Sequence, residues 1–415
     1  MTVHAQPATL AFPDARRVVE ERALTLHPGH AELAPLLRSR GRVLAEDIVA
    51  DRDFPPFPRA TRDGYAVRSA DLAVLPATLK IVGEVRAGSR LVGLLGRGEA
   101  AEIMTGAPVP EGADAVVMLE HTARQSAGVV VVERAVAAGE NIVPTGSEAR
   151  AGQLLLARGI RMGFAEIAVA AGVGKAQVSI YSPPRVGILS TGDEIVDVEA
   201  HPGPSQIRNS NSYSLSAQVE AAGAEPVRLP TAPDDPVVLK HLIEEGLALD
   251  LLLLTGGVSM GKYDLVEQVL TEFGAEFFFT GAQIQPGRPV VFGRAWRGSG
   301  AASATFFFGL PGNPVSTMVT FEIFVRPVLD ALCGAPPGKL RFLTARLGRE
   351  VLVKTGLTRF LPARLSGEFE RTEVELVRWQ GSGDAAAMAR ANCFLVVPPG
   401  RERIASGEMV SVLLR

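Results

Sequence analysis

The stretch LLLLTGGVSMGKYD, residues 251–264, joins four consecutive leucines to a glycine-rich turn. The leucine run has the length and composition of a buried strand. Gly256 to Lys262 then spell G-x-x-x-x-G-K. A nucleotide phosphate loop needs Ser or Thr after that lysine to hold magnesium, and Tyr263 stands there instead. Three readings are open: an altered nucleotide loop, a plain strand-to-helix turn, or a cradle for a different phosphate.

On either side of this stretch, strand and helix patterns alternate. RVGILS, EPVRLP, DLLLLT, PVVFG and TFFFGL read as strands. SNSYSLSAQVEAAG (closed by Gly223), DDPVVLKHLIEEG, YDLVEQVLTEFG and a long run from Pro314 to about Cys333 read as helices. Strands alternating with helices of 10 to 15 residues predict a parallel, doubly wound sheet. Such sheets bind ligands outside the carboxyl ends of their strands. Those ends carry Thr191-Gly192-Asp193-Glu194, then Asp234-Asp235, then Gly256 to Gly261 with Asp264, then Pro311-Gly312-Asn313-Pro314-Val315-Ser316. Glycines let backbone N–H groups approach an anion, and helix N-termini favour negative charge. Carboxylates at the same edge would repel a phosphate unless a divalent cation lay between them. Glu194, Asp234 and Asp264 therefore imply Mg²⁺, a hard ion that takes oxygen ligands. Taken singly, Asp234 or Asp235 also reads as a helix N-cap, and Gly256-Gly257 as a turn.

The flanking regions read differently. From Asp14 to about Ala45 the pattern predicts helix, with Asp14 as a cap and Val18, Val19 and Ala23 as an apolar stripe. LKIVGEV, DAVVMLE and GVVVVER predict a small β domain, and GENIVPTGSEARAGQLLLARG is turn chemistry leading out of it. After GAPPGK, the runs RFLTARL, RFLPARL, EVELVRW, CFLVVPP and MVSVLL predict a C-terminal all-β domain.

Composition narrows the function classes. The 415 residues carry 42 basic and 45 acidic side chains, a net charge of −3, without the basic stripe of a nucleic-acid binder. No apolar run approaches the ~18 residues of a membrane span, and the N-terminus has no secretory pattern. A cytoplasmic protein with a small ligand or a protein partner is expected. Cys333 and Cys393 lack metal-ligand spacing and read as reduced structural thiols. The six histidines form no pair at ligand spacing near the glycine-rich edge, which argues against a histidine-zinc enzyme. Ser259 and Ser316 have no nearby base in sequence, which argues against nucleophilic catalysis.

Six motifs, PPFPRATRDGYAV, MTGAPVPEGADAVVMLE, LSTGDEIV, IRNSNSYSL, TGGVSMGKYD and GLPGNPVSTMVTF, occur in one order between Pro55 and Phe321. In that order and spacing the chain resembles the molybdopterin molybdenumtransferases, the MoeA and gephyrin E-domain family. The resemblance implies a multi-domain α/β protein. Residues 1–51 and 140–180 would form a discontinuous, elongated N-terminal domain of mixed structure, with 52–139 inserted as a β domain. Residues 181–335 would form a three-layer α/β/α molybdopterin-binding domain, and 336–415 a small β-barrel. It implies Mg²⁺-assisted insertion of molybdate into adenylylated molybdopterin, with release of AMP. It also implies a homodimer whose active cleft lies at the subunit interface, and the adenylyltransferase of the same pathway is a candidate partner.

Residue by residue, the resemblance assigns catalytic roles to Asp63, Thr105, Glu148, Glu194, Asp234 and Asp264, with Glu194 and Asp264 holding the metal. Substrate binding falls to Ser212, Gly256, Gly257, Ser259, Gly261, Gln285, Arg288, Pro311, Gly312, Asn313, Pro314, Arg359 and Ser382. Three positions depart from the family pattern. Arg62 replaces an apolar residue before Asp63. The NIVPTGSE loop lacks an arginine and offers Glu148 for an aspartate. QPGRP carries Gln285 and Arg288 where the family has two lysines. Losing a cation opposite an oxyanion costs about 1.5–3 kcal/mol if uncompensated, and Arg62 is a candidate for the replacement charge. Two rivals remain: a molybdopterin adenylyltransferase, which would lack the DGYAV and MTGAPVP region, and a non-catalytic pterin-binding scaffold, which the altered loops would favour.

Overall fold

The computed structural model describes residues 9–89, 91–257, 265–297 and 304–415. The chain divides into two compact units. One comprises residues 1–45, 159–163 and 177–415, and the other residues 46–158 and 164–176.

The first unit is built on a six-stranded sheet. Its strands are β1 (Arg185–Ser190), β2 (Glu225–Arg228), β3 (Leu251–Thr255), β4 (Glu276–Phe279), β5 (Val291–Trp296) and β6 (Ala304–Leu310). The spatial order is β2-β1-β3-β6-β5-β4. The helices of this layer are α1 (Ser210–Ala221), α2 (Pro236–Gly246), α3 (Leu265–Glu272) and α4 (Pro314–Thr320). Side chains alternate across a strand, and here both faces are apolar. Leu251 and Leu253 of β3 join a core that includes Leu215 and Val219 of α1 and Val315 of α4. Leu252 and Leu254 join Leu239, Leu242 and Ile243 of α2 and Val266, Val269 and Leu270 of α3. Four leucines in a row are what a strand covered on both faces requires, and the result is three layers, α/β/α.

The sheet is mixed, against the expectation of a parallel one. Strands β2, β1, β3 and β6 are parallel, whereas β5 runs antiparallel to β6 and β4 antiparallel to β5. Only residues 297–303 separate β5 from β6, fewer than the dozen or so that a parallel crossover needs. The long C-terminal helix is also interrupted: α4 passes through a π-helical turn, Phe321–Val325, before continuing as Arg326–Leu332.

The N-terminal helix spans Phe12–Ala23 and ends well before residue 45. Its N-cap is Ala11, and Asp14 lies inside the first turn. Pro28 and Gly29 follow, and Ala31–Pro35 instead pairs antiparallel with Gln177–Tyr181. Non-local pairing overrode local helical pattern there.

The C-terminal strands close on themselves. Thr358–Ser366, Glu373–Leu376, Phe342–Leu347, Met409–Leu414 and Cys393–Val397 follow one another in the sheet, and the last pairs back onto the first. This is a five-stranded barrel around Leu347, Ala363, Val374, Leu395 and Val412. One short helix, Ala385–Arg390, is capped by Asp384 and interrupts the all-β pattern expected from the sequence.

The second unit contains another mixed six-stranded sheet, with Gly64–Val67 between Ala115–Met118 and Glu99–Ile103. Two apolar clusters fill its faces, one around Tyr65, Leu79 and Val117, the other around Val85, Ile103 and Val116. Among the described residues, no helix is long and apolar enough to cross a membrane.

Candidate active site

The carboxyl edge of the parallel strands opens into a cavity of about 580 Å³. Glu194 lines it, as do Gly256, Gly257, Pro311, Gly312, Asn313 and Pro314. Gly256 and Gly257 have φ values of 89° and 61°, the left-handed region that glycine enters without a Cβ penalty. A Cβ at Gly256 would lie 2.5 Å from the carbonyl oxygen of Thr191, and one at Gly257 would lie 2.8 Å from the Thr191 hydroxyl. The glycine pair therefore lets the ends of β1 and β3 close on each other beneath the cavity.

Two asparagines tie the helix starts to these strand ends. Asn209 caps α1 by accepting from the Ser212 N–H at 3.1 Å, and it also accepts from the Ser190 hydroxyl at 3.1 Å. The Asn211 amide donates to Thr255 Oγ1 at 3.0 Å and to the Gly312 carbonyl at 2.7 Å. Among the described residues, Asn211 Oδ1 and Thr191 Oγ1 are buried with no hydrogen-bond partner, and both residues line the cavity.

A second cavity of about 560 Å³ shares Pro289, Pro311 and Asn313 with the first. Gln285, Arg288, Arg359 and Ser382 line it, together with Lys354. Among the described residues, none that lines it is acidic. Arg359 is 7% exposed, and its guanidinium donates to the Lys354 carbonyl, with Nε at 3.2 Å. Burial pushes the pKa of that guanidinium down. Ser382 connects the barrel segment to the start of α4, because its hydroxyl accepts from Asn313 Nδ2 at 2.9 Å and its carbonyl from the Val315 N–H at 2.9 Å. Pro314 at the first helical position suits that start, its missing N–H being one of the unpaired donors there anyway.

Other expected residues fall elsewhere. Ser212 is 5% exposed and lines neither cavity, and its neighbours Ser210 and Asn211 take the lining positions. Asp234 is exposed and lies outside the lining of both cavities, its backbone N–H donating to Asp193 Oδ1 at 3.0 Å. Asp235 is the helix cap, accepting from the N–H groups of Val237 and Val238. Ser259, Gly261 and Asp264 lie outside the described residues.

Asp63, Thr105 and Glu148 belong to the second unit. Asp63 Oδ1 accepts from the Thr105 N–H at 2.6 Å and from its hydroxyl at 2.8 Å. These two bonds hold the Asp63 carboxyl below its ordinary pKa, the backbone bond contributing most. Glu148 pairs with Arg59 at 2.6 Å. Arg62 makes no ion pair with Asp63 among the described residues, its guanidinium reaching only toward the Thr61 carbonyl at 3.5 Å. Cys333 and Cys393 are buried free thiols, and burial pushes both pKa values up, that of Cys393 to about 11. They stay protonated at neutral pH.

Sequence reasoning placed Thr191 at the binding edge but gave it no role, and it missed Asn211 and Lys354. The first two stand inside the motifs LSTGDEIV and IRNSNSYSL, where the flanking Glu194 and Ser212 drew attention instead.

A divalent cation at the first cavity would meet the Glu194 carboxylate, an oxygen donor that suits a hard ion. The two oxygens without a partner among the described residues, Thr191 Oγ1 and Asn211 Oδ1, leave hydrogen-bonding capacity unused. Among the described residues, no group of three or more His, Cys, Asp or Glu side chains converges as a metal site.

A glycine-edged cavity at the carboxyl end of a three-layer sheet, adjoining a cationic cavity with no carboxylate among its described lining residues, is the equipment of an α/β protein for small anionic ligands. The comparisons with known proteins make the class specific. Residues 10–174 match the MoeA N-terminal region (domains I and II), residues 187–331 a probable molybdopterin binding domain, and residues 344–414 the MoeA C-terminal region (domain IV). The molybdopterin molybdenumtransferase of Nostoc sp. is 35% identical over 92% of this chain and 88% of its own length. That of Bacillus subtilis is 34% identical over 93% of this chain and 90% of its own. A MoeA protein structure from Pyrococcus horikoshii superposes with a TM-score of 0.78 at 28% identity, covering 98% of this chain and all of that one. The chain belongs to the molybdopterin molybdenumtransferase (MoeA) family, transferases of molybdenum cofactor biosynthesis.

Proposed function

We propose that this chain inserts molybdate into adenylylated molybdopterin and releases AMP, acting with Mg²⁺ as a cytoplasmic homodimer. The observation that carries the reading is the pair of adjoining cavities. The glycine edge of the first suits the phosphate portion of the pterin, with backbone N–H groups and few steric limits. The second suits a tetrahedral oxyanion, with Arg288, Lys354 and Arg359 and no acid among its described lining residues. Lys354 supplies a cation there in place of the one that Gln285 lacks. Ser382 and Asn313 fix the wall between the cavities through their mutual hydrogen bond.

Mg²⁺, held by Glu194 and, from the sequence pattern, Asp264, would neutralise charge on the pyrophosphate as it is cleaved. Asp63, Thr105 and Glu148 of a second copy are proposed to complete the cleft. The adenylyltransferase that makes the substrate is a candidate partner. The four-domain division at residues 52, 140, 181 and 336 also belongs to this reading. It is supported by the separate sheets of the inserted segment, the α/β layer and the closed barrel.

Incubating the protein with adenylylated molybdopterin, molybdate and Mg²⁺ should release AMP, and Glu194→Gln should reduce that release by at least tenfold. If no AMP forms at any molybdate concentration, the reading is wrong. ATP consumption with molybdopterin would instead identify an adenylyltransferase, and tight pterin binding without turnover a scaffold.

A further inference from the structure

Among the described residues, four buried side-chain nitrogen or oxygen atoms lack a hydrogen-bond partner: Arg59 Nε, Thr191 Oγ1, Asn211 Oδ1 and Gln218 Oε1. Two of the four, Thr191 Oγ1 and Asn211 Oδ1, belong to residues lining the first cavity. A buried hydroxyl left unpaired destabilises the free protein, so its retention calls for a compensating use. Thr191 is 5% exposed, and its backbone is already engaged: its N–H donates to the Thr255 carbonyl at 3.0 Å. Its hydroxyl stands against Gly256 and Gly257, 3.2 and 2.8 Å from where their Cβ atoms would be.

We propose that Thr191 is a substrate-binding residue, its hydroxyl donating to an anionic oxygen of the ligand's phosphate portion at the Gly256–Gly257 edge. The inference rests on the reading of the first cavity given above. It places the hydroxyl at the residue that follows the neighbouring strand, β1, rather than within the glycine-rich turn after β3, where a nucleotide phosphate loop would carry it. Asn211 Oδ1, an acceptor to which nothing among the described residues donates, is complementary: it takes an N–H from the same ligand. A ligand satisfying both carries a phosphate ester and a hydrogen-bond donor, as a phosphorylated pterin does. The amide of Asn211 is held in one orientation by its two donor bonds, since the reverse orientation would set Oδ1 against the Gly312 carbonyl.

The test compares full-length wild type, Thr191→Val and Thr191→Ser, measuring thermal midpoint without ligand and molybdopterin affinity by pterin fluorescence. A binding hydroxyl predicts opposite effects in the two measurements. Thr191→Val removes an unpaired buried group, so its midpoint should equal or exceed that of wild type, while molybdopterin binding weakens at least tenfold. Thr191→Ser should restore binding to within about threefold of wild type. Equal affinity of Thr191→Val and wild type overturns the proposal, and so does a lowered midpoint in Thr191→Val, because the hydroxyl would then be structural. If wild type itself fails to bind molybdopterin, the reading of the cavity falls and this inference with it. That outcome is distinct from the one in which wild type binds and Thr191→Val binds equally.

Discussion

The Asp63 carboxylate shows how much a single side chain can be tuned without burial. Two donors from Thr105 stabilise its charged form, so its pKa in the folded protein lies below the ordinary aspartate value of about 3.9 that it has in the unfolded chain. A lowered carboxyl pKa gives stabilisation that is complete above the unfolded value and is lost as pH falls through the folded one. Thr105→Val removes the hydroxyl but keeps the backbone donor, the larger of the two causes. A carboxyl-carbon NMR titration should therefore show the Asp63 pKa rising part of the way to the ordinary aspartate range. No rise would show that the hydroxyl contributes nothing. Asp63 and Thr105 were legible only through the motifs that contain them, because no local pattern tells a reader that residues 42 positions apart will meet. Arg62 shows the converse, since adjacency to Asp63 in sequence did not become an ion pair in space. Thr191 and Asn211 were illegible for another reason: whether a polar group finds a partner is decided only when the chain is folded.

At the scale of elements, the carboxyl edge of the sheet separates two neighbouring aspartates that sequence left equivalent as candidate helix caps. Asp235 caps α2 through two backbone N–H groups, whereas the Asp234 side chain has no such role. Asp235→Ala should cost about 1 kcal/mol in urea unfolding, and Asp234→Ala should stay within about 0.5 kcal/mol of wild type. Equal losses would show that the cap is not specific to Asp235. The glycine turn makes a sharper demand. At φ 89°, with a Cβ directed at the Thr191 carbonyl, Gly256→Ala should cost about 1–3 kcal/mol and weaken molybdopterin binding as the β1 and β3 ends move apart. Wild-type stability in that variant would mean the turn relaxes freely. The strands and helices around this edge were readable because their apolar runs are buried on one or both faces. The direction of β5 was not, since alternation suggested a parallel sheet and only the short connection to β6 marks the reversal. Strand β4, with its run Glu276–Phe279, passed unread because it follows helix α3 after only a brief turn.

At the scale of the whole molecule, the proposed cleft takes its parts from two copies of the chain, and this can be tested without a further structure. Glu194 lies in the first compact unit and Asp63 in the second. If each cleft combines the first unit of one chain with the second unit of another, Glu194→Gln and Asp63→Asn each disable both sites of their own homodimer. Unfolding and refolding the two inactive variants together at equal concentration should yield mixed dimers as half of the population. Each mixed dimer holds one site with both defects and one with neither, so about a quarter of wild-type AMP release should return. Sedimentation should give a species of twice 43.8 kDa throughout. A cleft formed within one chain would regain nothing on mixing, because every site would still carry its own substitution. A monomer in sedimentation would exclude shared sites before any activity is measured. Recovery near one quarter, absent when either variant is refolded alone, would assign Asp63 and Glu194 of different chains to the same site.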